Sequence, residues 1–231
     1  MVETAAHLTD HVFPRLPVRQ WVLSVPKRLR YFMQRDGAVL NMVLRIFLRV
    51  IAQSLQSNCA GAAQLDKATL HIGAVAFIHR FGSSLNEHVH FHVCAVDGVF
   101  EEVAGEGDGA DAASRISPPR IIFHPATGVN ADAVTQVQCI LRRRIVRAFV
   151  GRGLLEGFEA KEMLGYKHSG FANAARQGCD WRRPKRVMAT NLEKPRPISP
   201  GVSTQADPNG QVFNNTKKFN NCAYAVGFPI R

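Results

Sequence analysis

Three histidines alternate with apolar residues in one short segment of the chain, His88-Val89-His90-Phe91-His92. Successive side chains of a β-strand point to opposite faces of its sheet, so the three imidazoles share one face and the apolar residues share the other. The apolar face is typical of a strand that packs beneath a helix. Imidazoles at positions i and i+2 lie roughly 7 Å apart at their Cα atoms, close enough for both to bind one ion. The spacing therefore predicts a metal site on one face of this strand.

A half-exposed strand whose outer face happens to carry histidines is the alternative interpretation. For a lone histidine on a strand, that alternative would be preferred. Three histidines within five residues, on a strand whose other face is apolar, favour metal binding instead.

The segments around this strand predict the rest of a sheet. Residues 18–25 alternate as a strand does, and Pro26 ends the pattern. Residues 69–79 are almost continuously apolar and predict a central strand, which a short polar link joins to a strand over residues 88–100. Because these two strands are so close in sequence, we expect an antiparallel hairpin. Another short strand is expected over residues 120–124.

Two stretches have the periodicity of helices that cover this sheet. After the first strand the pattern becomes helical, with apolar residues every three or four positions through residues 40–55. Asn130 or Asp132 is expected to cap another helix that runs to about Leu155. The predicted fold class is α+β, with a central antiparallel sheet, helices over one face and the histidines on the other.

Two parts of the chain lack such periodicity. Residues 103–119 predict a flexible acidic loop, and residues 172–231 are rich in Pro, Asn, Gly and basic side chains. We therefore predict a core domain of residues 1–171 and a divergent basic tail, residues 172–231, that is largely disordered.

The composition indicates a soluble, cytoplasmic protein with a polyanionic partner. The chain has 231 residues, with 29 Lys and Arg against 18 Asp and Glu, and a formal net charge of +11 that is typical of nucleic-acid binding. The five cysteines form no CxxC pair, which argues against a zinc ribbon or disulfide framework and for reduced thiols. No secretion signal is indicated at the start of the chain. No apolar segment approaches the ~20 uninterrupted residues that cross a bilayer, so no membrane partner is expected.

Three segments, RQWVLSVPKRLRYF (19–32), FIHRFGSSLNEHVHFHVCAVDGVF (77–100) and IIFHPATG (121–128), occur in this order along the chain. They resemble the rolling-circle insertion-sequence transposases of the two-tyrosine HUH family, whose His-hydrophobic-His strand is matched by His90-Phe91-His92. The resemblance runs from about Glu3 to Phe171. It implies the ferredoxin-like nuclease core of that family and a role in DNA transposition, with single-stranded DNA at the element ends as the substrate.

The resemblance also implies a metal site and its ligands. In this family two histidines hold a divalent ion that polarises the scissile phosphate, and a tyrosine attacks phosphorus to leave a 5′-phosphotyrosine and a free 3′-hydroxyl. His90 and His92 match these two histidines, and His88, which shares their face, is the first candidate for a third ligand that the sequence does not settle. The other candidates for the third ligand are Glu87, His79, Asp97 and His124. Imidazoles that face a phosphate imply Mn or Mg in the cell, although Zn or Ni could occupy the site in vitro.

The sequence departs from the family pattern at both ends. Family members usually carry a cysteine-rich zinc module before this core, and their nucleophilic tyrosine lies beyond the region that corresponds to Phe171. Neither has a counterpart here, so we expect a truncated core that lacks its nucleophile and is inactive in cleavage. Of the three tyrosines, Tyr224 lies in the tail, while Tyr31 and Tyr166 are the remaining candidates, although neither lies in a segment that resembles the tyrosine motif.

Clusters of basic residues are the candidates for contacts with DNA phosphates. They are Arg142, Arg143 and Arg147 in the predicted long helix, and Lys27, Arg28 and Arg30 after the first strand. A solvated helix face is the alternative interpretation of the arginines.

Three functions remain open from the sequence. DNA transposition by HUH chemistry is the leading prediction. A DNA-binding remnant that cannot cleave is the alternative, and a covalent protein–DNA adduct would separate the two. A small-molecule metallohydrolase would explain the histidines but neither the positive charge nor the resemblance.

Overall fold

The structure, a computed structural model, describes residues 7–82, 84–103, 120–165 and 170–177, together with the backbone of residues 223–229. Within these ranges the chain forms one antiparallel sheet with helices packed on one face, which confirms the α+β prediction. Nearly all of the predicted acidic loop and residues 178–222 of the predicted disordered tail lie outside the described residues.

The sheet is built around the predicted hairpin. Its strands are β1 (Val18–Ser24), β2 (Leu70–Phe81), β3 (Glu87–Val96), β4 (Gly98–Val103), β5 (Arg120–Pro125), β6 (Ala172–Gln177) and β7 (Ala223–Pro229). They follow the order β5-β4-β2-β3-β1-β6, and β7 pairs with β2. In the central pair, Ala74 lies opposite Ala95 and His79 lies opposite His90. The first strand and the 120–124 strand are found where the sequence predicts them.

The strand predicted over residues 88–100 is divided in two at Asp97. On one side of β2, Ala74 pairs with Ala95 of β3 and His71 pairs with Phe100 of β4, while β7 occupies the other side. β3 and β4 therefore follow each other along the same edge of β2, with a change of register between them. Such an irregularity bends the strand and lets one residue leave the ladder.

Strand β6 comes from the first residues of the segment predicted as tail. Its six residues, ANAARQ, pair with β1 from Arg19–Gln177 to Ser24–Ala172. The sequence of β6 shows neither an apolar alternation nor β-branched residues, so nothing in its pattern indicates a strand. It lies at the end of the sheet order, where fewer apolar contacts are required.

Four α-helices complete the fold within the described ranges. They are α1 (Lys27–Arg35), α2 (Gly37–Ser57), α3 (Ala131–Gly151) and α4 (Gly157–Gly165), and short helical turns occur at Leu8–Val12, Ala60–Ala62 and Lys67–Thr69. Asp36 has an extended backbone and caps α2 by accepting from Ala38 N at 2.7 Å, which separates α1 from α2. Asn130 caps α3 by accepting from Ala133 N at 2.9 Å, as one of the two predicted caps.

Helix α3 ends earlier than its apolar pattern suggests. Gly153 has a φ of +68°, which a residue without a Cβ adopts at little cost. Leu154 N donates to Phe149 O and Gly153 N donates to Val150 O, which closes the helix end with a Schellman-type pair of bonds. The chain therefore leaves the helix just after Gly151 rather than at about Leu155.

The core lies between the sheet and helices α2 and α3. Trp21 of β1 and Phe91 of β3 are completely buried, and the Phe91 ring lies 6.4 Å from the ring of Phe47 in α2. Phe149 of α3 joins the same cluster. Because these side chains occupy alternate positions of the strands, the other face of the same strands remains for polar residues.

Helix α2 also has the length and hydropathy of a membrane-spanning segment, with 21 residues and an 18-residue window whose mean hydropathy is 1.6. Of its most apolar window, 56% is buried inside the structure. Its exposed side carries Arg45 and Arg49. Packing against the sheet therefore accounts for the apolar composition of this helix.

Candidate metal centre

Three histidines meet on the face of the sheet opposite to the core. His79 of β2 lies directly opposite His90 of β3, and Phe77, two residues before His79, lies opposite His92. The ring of His79 is 5.0 Å from that of His90 and 4.5 Å from that of His92, and the latter two rings are 5.1 Å apart. One nitrogen from each of the three rings lies within 4.8 Å of the other two. A small rotation of the side chains would bring all three nitrogens to one ion.

His88 shares the face of His90 but is held by another group. Its Nε2 atom lies 2.9 Å from the hydroxyl of Ser24 on β1, and its ring is 5.2 Å from that of His90. The structure therefore brings His79, rather than His88, together with His90 and His92. Of the residues named for the third position, His79 is the one that the register of the hairpin places there.

The remaining candidates for the third ligand lie elsewhere. Asp97 accepts hydrogen bonds from Nε and Nη2 of the buried Arg19, each at 2.8 Å. His124 of β5 pairs with Glu101 of β4 at 2.8 Å. Glu87 lies opposite Phe81 at the exposed end of the hairpin and has the strand parity of the apolar face.

Hydrogen bonds to the other ring nitrogens orient the imidazoles. Nδ1 of His90 lies 2.8 Å from the carbonyl oxygen of His88, so this nitrogen donates and Nε2 keeps a free lone pair. Nδ1 of His92 lies 3.0 Å from the side-chain amide of Gln20. A flip of the Gln20 amide by about 180° exchanges its oxygen and nitrogen positions. When the oxygen faces the ring, Nδ1 of His92 donates to it, and Nε2 then has the lone pair that can bind a metal.

Burial favours the neutral form of His79 and His92. It lowers the pKa of His92 from 6.5 to about 4, with smaller contributions from His79 and His90. It also lowers the pKa of His79, with a further effect of His90. A neutral imidazole has the lone pair that a metal requires, so burial prepares these two side chains as ligands at neutral pH.

This burial predicts a pH dependence of stability in the metal-free protein. Between pH 6.5 and 4 the unfolded chain protonates His92 and the folded chain does not, so the free energy of unfolding should decrease as the pH falls through this window. Urea unfolding with a chelator, at pH 7, 6 and 5, should give a shallower decrease for His92→Gln than for the unchanged chain. Equal decreases in the two proteins would show that His92 binds its proton equally well in both states.

A cleft of about 490 Å3 opens beside the histidines at the end of the hairpin. It is lined by His79, His88 and His90 together with Phe81, Gly82 and Asn86. Phe81 leaves 46% of its surface exposed, so its ring is accessible from the cleft. At Gly82 a Cβ atom would lie 2.6 Å from Oδ1 of Asn86, so a larger residue here would displace the Asn86 amide.

The basic residues after β1 differ in what they contact. Arg28 forms an ion pair with Glu159 of α4, whereas Lys27 is exposed. The charge of Arg30 lowers the pKa of His88, after the larger effect of burial, which places this guanidinium near the histidine face. Nε of Arg30 is buried and has no hydrogen-bond partner among the described residues.

The arginines of α3 also separate into two kinds. Arg142 is half-buried and donates to the carbonyl oxygen of Met163 in α4 at 2.5 Å. Arg143 and Arg147 are exposed. Arg142 thus helps to hold α4 against α3, while Arg143 and Arg147 face solvent.

Of the tyrosines, only Tyr31 has a described side chain. It lies on α1 with 52% of its surface exposed, and the guanidinium of Arg35 stacks 3.8 Å from its ring centre. Its described ring neighbour is Phe32, at 5.4 Å, and not a histidine. Tyr166 lies outside the described residues, and Tyr224 belongs to β7, of which only the backbone is described.

Sequence reasoning missed the residues of β1 that support the histidines. Gln20 and Ser24 contact His92 and His88, and both lie on the face that β1 turns away from the core. Gln20, Val22 and Ser24 alternate along the chain with the apolar residues Trp21 and Leu23, and this alternation indicates which side chains lie on the outer face. Which histidine each would meet depends on strand register, which alternation does not reveal.

Comparison with known proteins shows a similarity between the middle of the chain and one protein family. Residues 73–181, from β2 to just beyond β6, match the sequence model of a family described as "Putative transposase". This match contains all three histidines of the candidate metal centre and continues ten residues past Phe171. No curated protein and no solved structure matches the chain. The central part of this chain is thus similar to a transposase family, in agreement with its sequence resemblance.

Proposed function

We propose that this protein acts in DNA transposition by binding a divalent ion through His79, His90 and His92 and presenting it to a phosphate of single-stranded DNA. The observation that carries the proposal is the meeting of three imidazoles on one open sheet face, within the segment that matches the transposase family. A chain with a net charge of +11 also favours a polyanionic substrate over a small neutral one, which argues against a small-molecule hydrolase.

The side chains present suit such an ion. Three imidazoles leave open positions for water and phosphate oxygen. The ion we propose for the cell, Mn or Mg, follows from the family resemblance and its phosphate substrate, since imidazoles alone favour Zn or Ni. When bound, the ion would supply a Lewis acid that stabilises negative charge on the phosphate oxygens. His90 and His92 would be held in position by the carbonyl of His88 and the amide of Gln20.

Charged and aromatic groups around the cleft would position the strand. Arg30 is half-buried near His88, and its positive charge favours a phosphate at this side of the cleft. Lys27, Arg143 and Arg147 are exposed and can neutralise further phosphates. Arg28 and Arg142 have protein partners and would contribute less.

The proposed reaction is strand nicking followed by strand transfer. As in the resembling family, a tyrosine oxygen would form a bond to phosphorus, the bond from phosphorus to the 3′-oxygen would break, and that oxygen would take a proton to become the free 3′-hydroxyl. This reaction needs a phenol placed in line with the leaving oxygen, because loss of positioning alone raises the barrier by many kcal/mol, about 7–11 in favourable cases.

The alternative is a DNA-binding protein that does not cleave, and one observation favours it for this chain. The described contacts of Tyr31 are with Phe32 and Arg35 rather than with the histidines. We therefore propose metal and DNA binding for the chain as given, with cleavage slow or absent unless Tyr166 or Tyr224 supplies the phenol.

A nicking assay tests both proposals. Labelled single-stranded DNA carrying the element ends is incubated with the protein and Mn2+, and the products are separated on a denaturing gel. We expect a salt-sensitive complex and no labelled protein band. A labelled band that disappears in Tyr31→Phe, Tyr166→Phe or Tyr224→Phe would identify the nucleophile and establish the cleaving enzyme.

Phe81 is expected to stack on a DNA base. Its exposed ring lines the same cleft as His79 and His90, and stacking of a base on an aromatic side chain is worth about 1–3 kcal/mol. Phe81→Ala should therefore weaken binding of a short single strand by roughly 5- to 150-fold while leaving Mn2+ affinity unchanged. Fluorescence anisotropy measures the affinity, with Leu85→Ala as the control because Leu85 is exposed nearby but does not line the cleft. Equal effects of the two substitutions would contradict a stacking role.

A further inference from the structure

A second basic surface lies on the helices, away from the histidines. A groove of about 680 Å3 runs between α2 and α3. Its lining residues are Ala38, Asn41, Met42, Arg45, Ile46, Arg49, Gln53, Arg144 and Arg152. We name this feature the helix groove.

The polar residues of α2 form one continuous edge of the helix groove. Asn41, Arg45, Arg49 and Gln53 follow each other at steps of four, so they share one side of the helix over about 18 Å at roughly 1.5 Å per residue. The opposite side of α2 is buried in the core. Core packing therefore explains the apolar residues of this helix but not the pair of arginines on its outer edge.

Among the described residues that line the helix groove, no acidic side chain balances its positive charge. Four guanidinium groups line it, and no Asp or Glu is among the described lining residues. In the described part of the chain, none of these four arginines takes part in an ion pair. A helix surface with a purely structural role gains stability from mixed charges, whereas like charges four residues apart repel each other. An anionic ligand would remove this repulsion.

The helix groove and the metal centre lie on opposite sides of β3. Phe91 of β3 points into the core and lies 6.4 Å from Phe47 of α2. His90 and His92, its neighbours in sequence, point the other way. One strand of nucleic acid on the histidine face could not reach the arginines of the groove without passing around the edge of the sheet.

We infer that the helix groove is a second DNA-binding site, which holds the sugar–phosphate backbone of a DNA segment distinct from the one at the histidines. Guanidinium groups bind phosphate oxygens in a bidentate manner, and the amides of Asn41 and Gln53 add hydrogen-bond donors. Met42 and Ile46 provide an apolar surface for sugars. The choice of DNA as the ligand rests on the proposed function, whereas the preference for a polyanion follows from the groove itself.

Charge reversal in the helix groove tests the inference. Arg45→Glu/Arg49→Glu is compared with Lys67→Glu/Arg120→Glu, which changes the net charge equally at exposed residues outside the groove. Binding of a labelled 12-nucleotide single strand and a labelled duplex is measured by anisotropy in EDTA from 50 to 200 mM salt. We expect the groove variant to bind DNA at least about tenfold more weakly. For single strands, the slope of log affinity against log salt concentration should be shallower by about 0.7 per lost phosphate contact. The control variant should lose much less.

Further measurements separate the other outcomes. The affinity for Mn2+, measured by calorimetry, should be the same in the groove variant as in the unchanged chain. If the unchanged chain binds no Mn2+ but the groove variant still loses DNA binding, the helix-groove inference is supported and the metal proposal is contradicted. Equal losses in the groove and control variants would show a dependence on overall charge and overturn the inference. Unchanged DNA binding in the groove variant would also overturn the inference. The same holds if the groove variant loses affinity only for vesicles rich in anionic lipid. Circular dichroism monitors folding, and Arg45→Gln/Arg49→Gln replaces the reversal if the charged variant unfolds.

Discussion

Replacing His90 and His92 with alanine is expected to abolish Mn2+ binding and to leave the fold intact. Both imidazoles belong to the three-histidine cluster, and both lie on the face of β3 that does not contribute to the core. A single remaining imidazole does not hold a divalent ion, so the loss should exceed the 10- to 100-fold (about 1.4–2.7 kcal/mol) typical of removing an outer partner of a ligand. Isothermal titration with Mn2+ measures the affinity, and circular dichroism checks the fold.

The neighbouring histidines supply the controls for this experiment. His71 is a half-exposed histidine of β2 with the same strand parity as His79, but it lies near Glu102 rather than in the cluster. His71→Ala should leave Mn2+ affinity unchanged. His79→Ala should weaken binding more than His88→Ala, because His79 and not His88 has its nitrogen close to both other rings. Unchanged affinity in the double variant would place the metal elsewhere, and a larger effect at His88 would restore it as the third ligand.

Replacing Asp97 with alanine is expected to be the most destabilising single substitution near the site. Asp97 is 2% exposed and accepts two hydrogen bonds of 2.8 Å from Arg19, which is itself 8% exposed. Without Asp97 the guanidinium is left buried and unpaired, and breaking a buried pair in this way costs about 3–5 kcal/mol. The free energy of unfolding from urea titration, monitored by circular dichroism, should fall by this amount.

Two variants separate the ion pair from other effects at this position. Glu102→Ala removes an exposed carboxylate of β4 and should change the free energy of unfolding by less than about 0.5 kcal/mol. Arg19→Met/Asp97→Leu removes both charges and should recover much of the stability lost in Asp97→Ala, since apolar replacements of a buried pair are often neutral. If the double variant is as unstable as Asp97→Ala, the loss comes from packing or from the bend at Asp97 rather than from the unpaired charge.

Local pattern was sufficient to predict the first strand, the central hairpin, the 120–124 strand and the histidine face. The alternation of His88, His90 and His92 with apolar residues reports directly which side chains share a face, and that face is the one found away from the core. Asn130 and Pro26 likewise act on their immediate neighbours, so the start of α3 and the end of β1 agree with expectation. The apolar run of residues 69–79 behaves as a central strand because it is flanked by strands on both sides.

Features that depend on distant pairing could not be predicted in this way. The choice between His79 and His88 as neighbour of His90 and His92 is set by the register of β2 against β3, which includes an irregularity between His79 and Phe81. The bend at Asp97 depends on Arg19, which is 78 residues away in sequence. β6 takes its conformation from pairing with β1 rather than from its own side chains.

The two-strand origin of the three histidines also limits how this chain can vary in length. His79, His90 and His92 come from adjacent strands joined by one short turn, and the helices contribute no member of the cluster. Because side chains repeat with a period of two, a single inserted or deleted residue within β2 or β3 would carry the histidines of that strand to the apolar face. Length changes in the turn at residues 82–86 or in the loop after β4 leave this parity intact. In descendants of this sequence, the site should therefore outlast many substitutions in the helices, yet a single indel inside the hairpin would eliminate it.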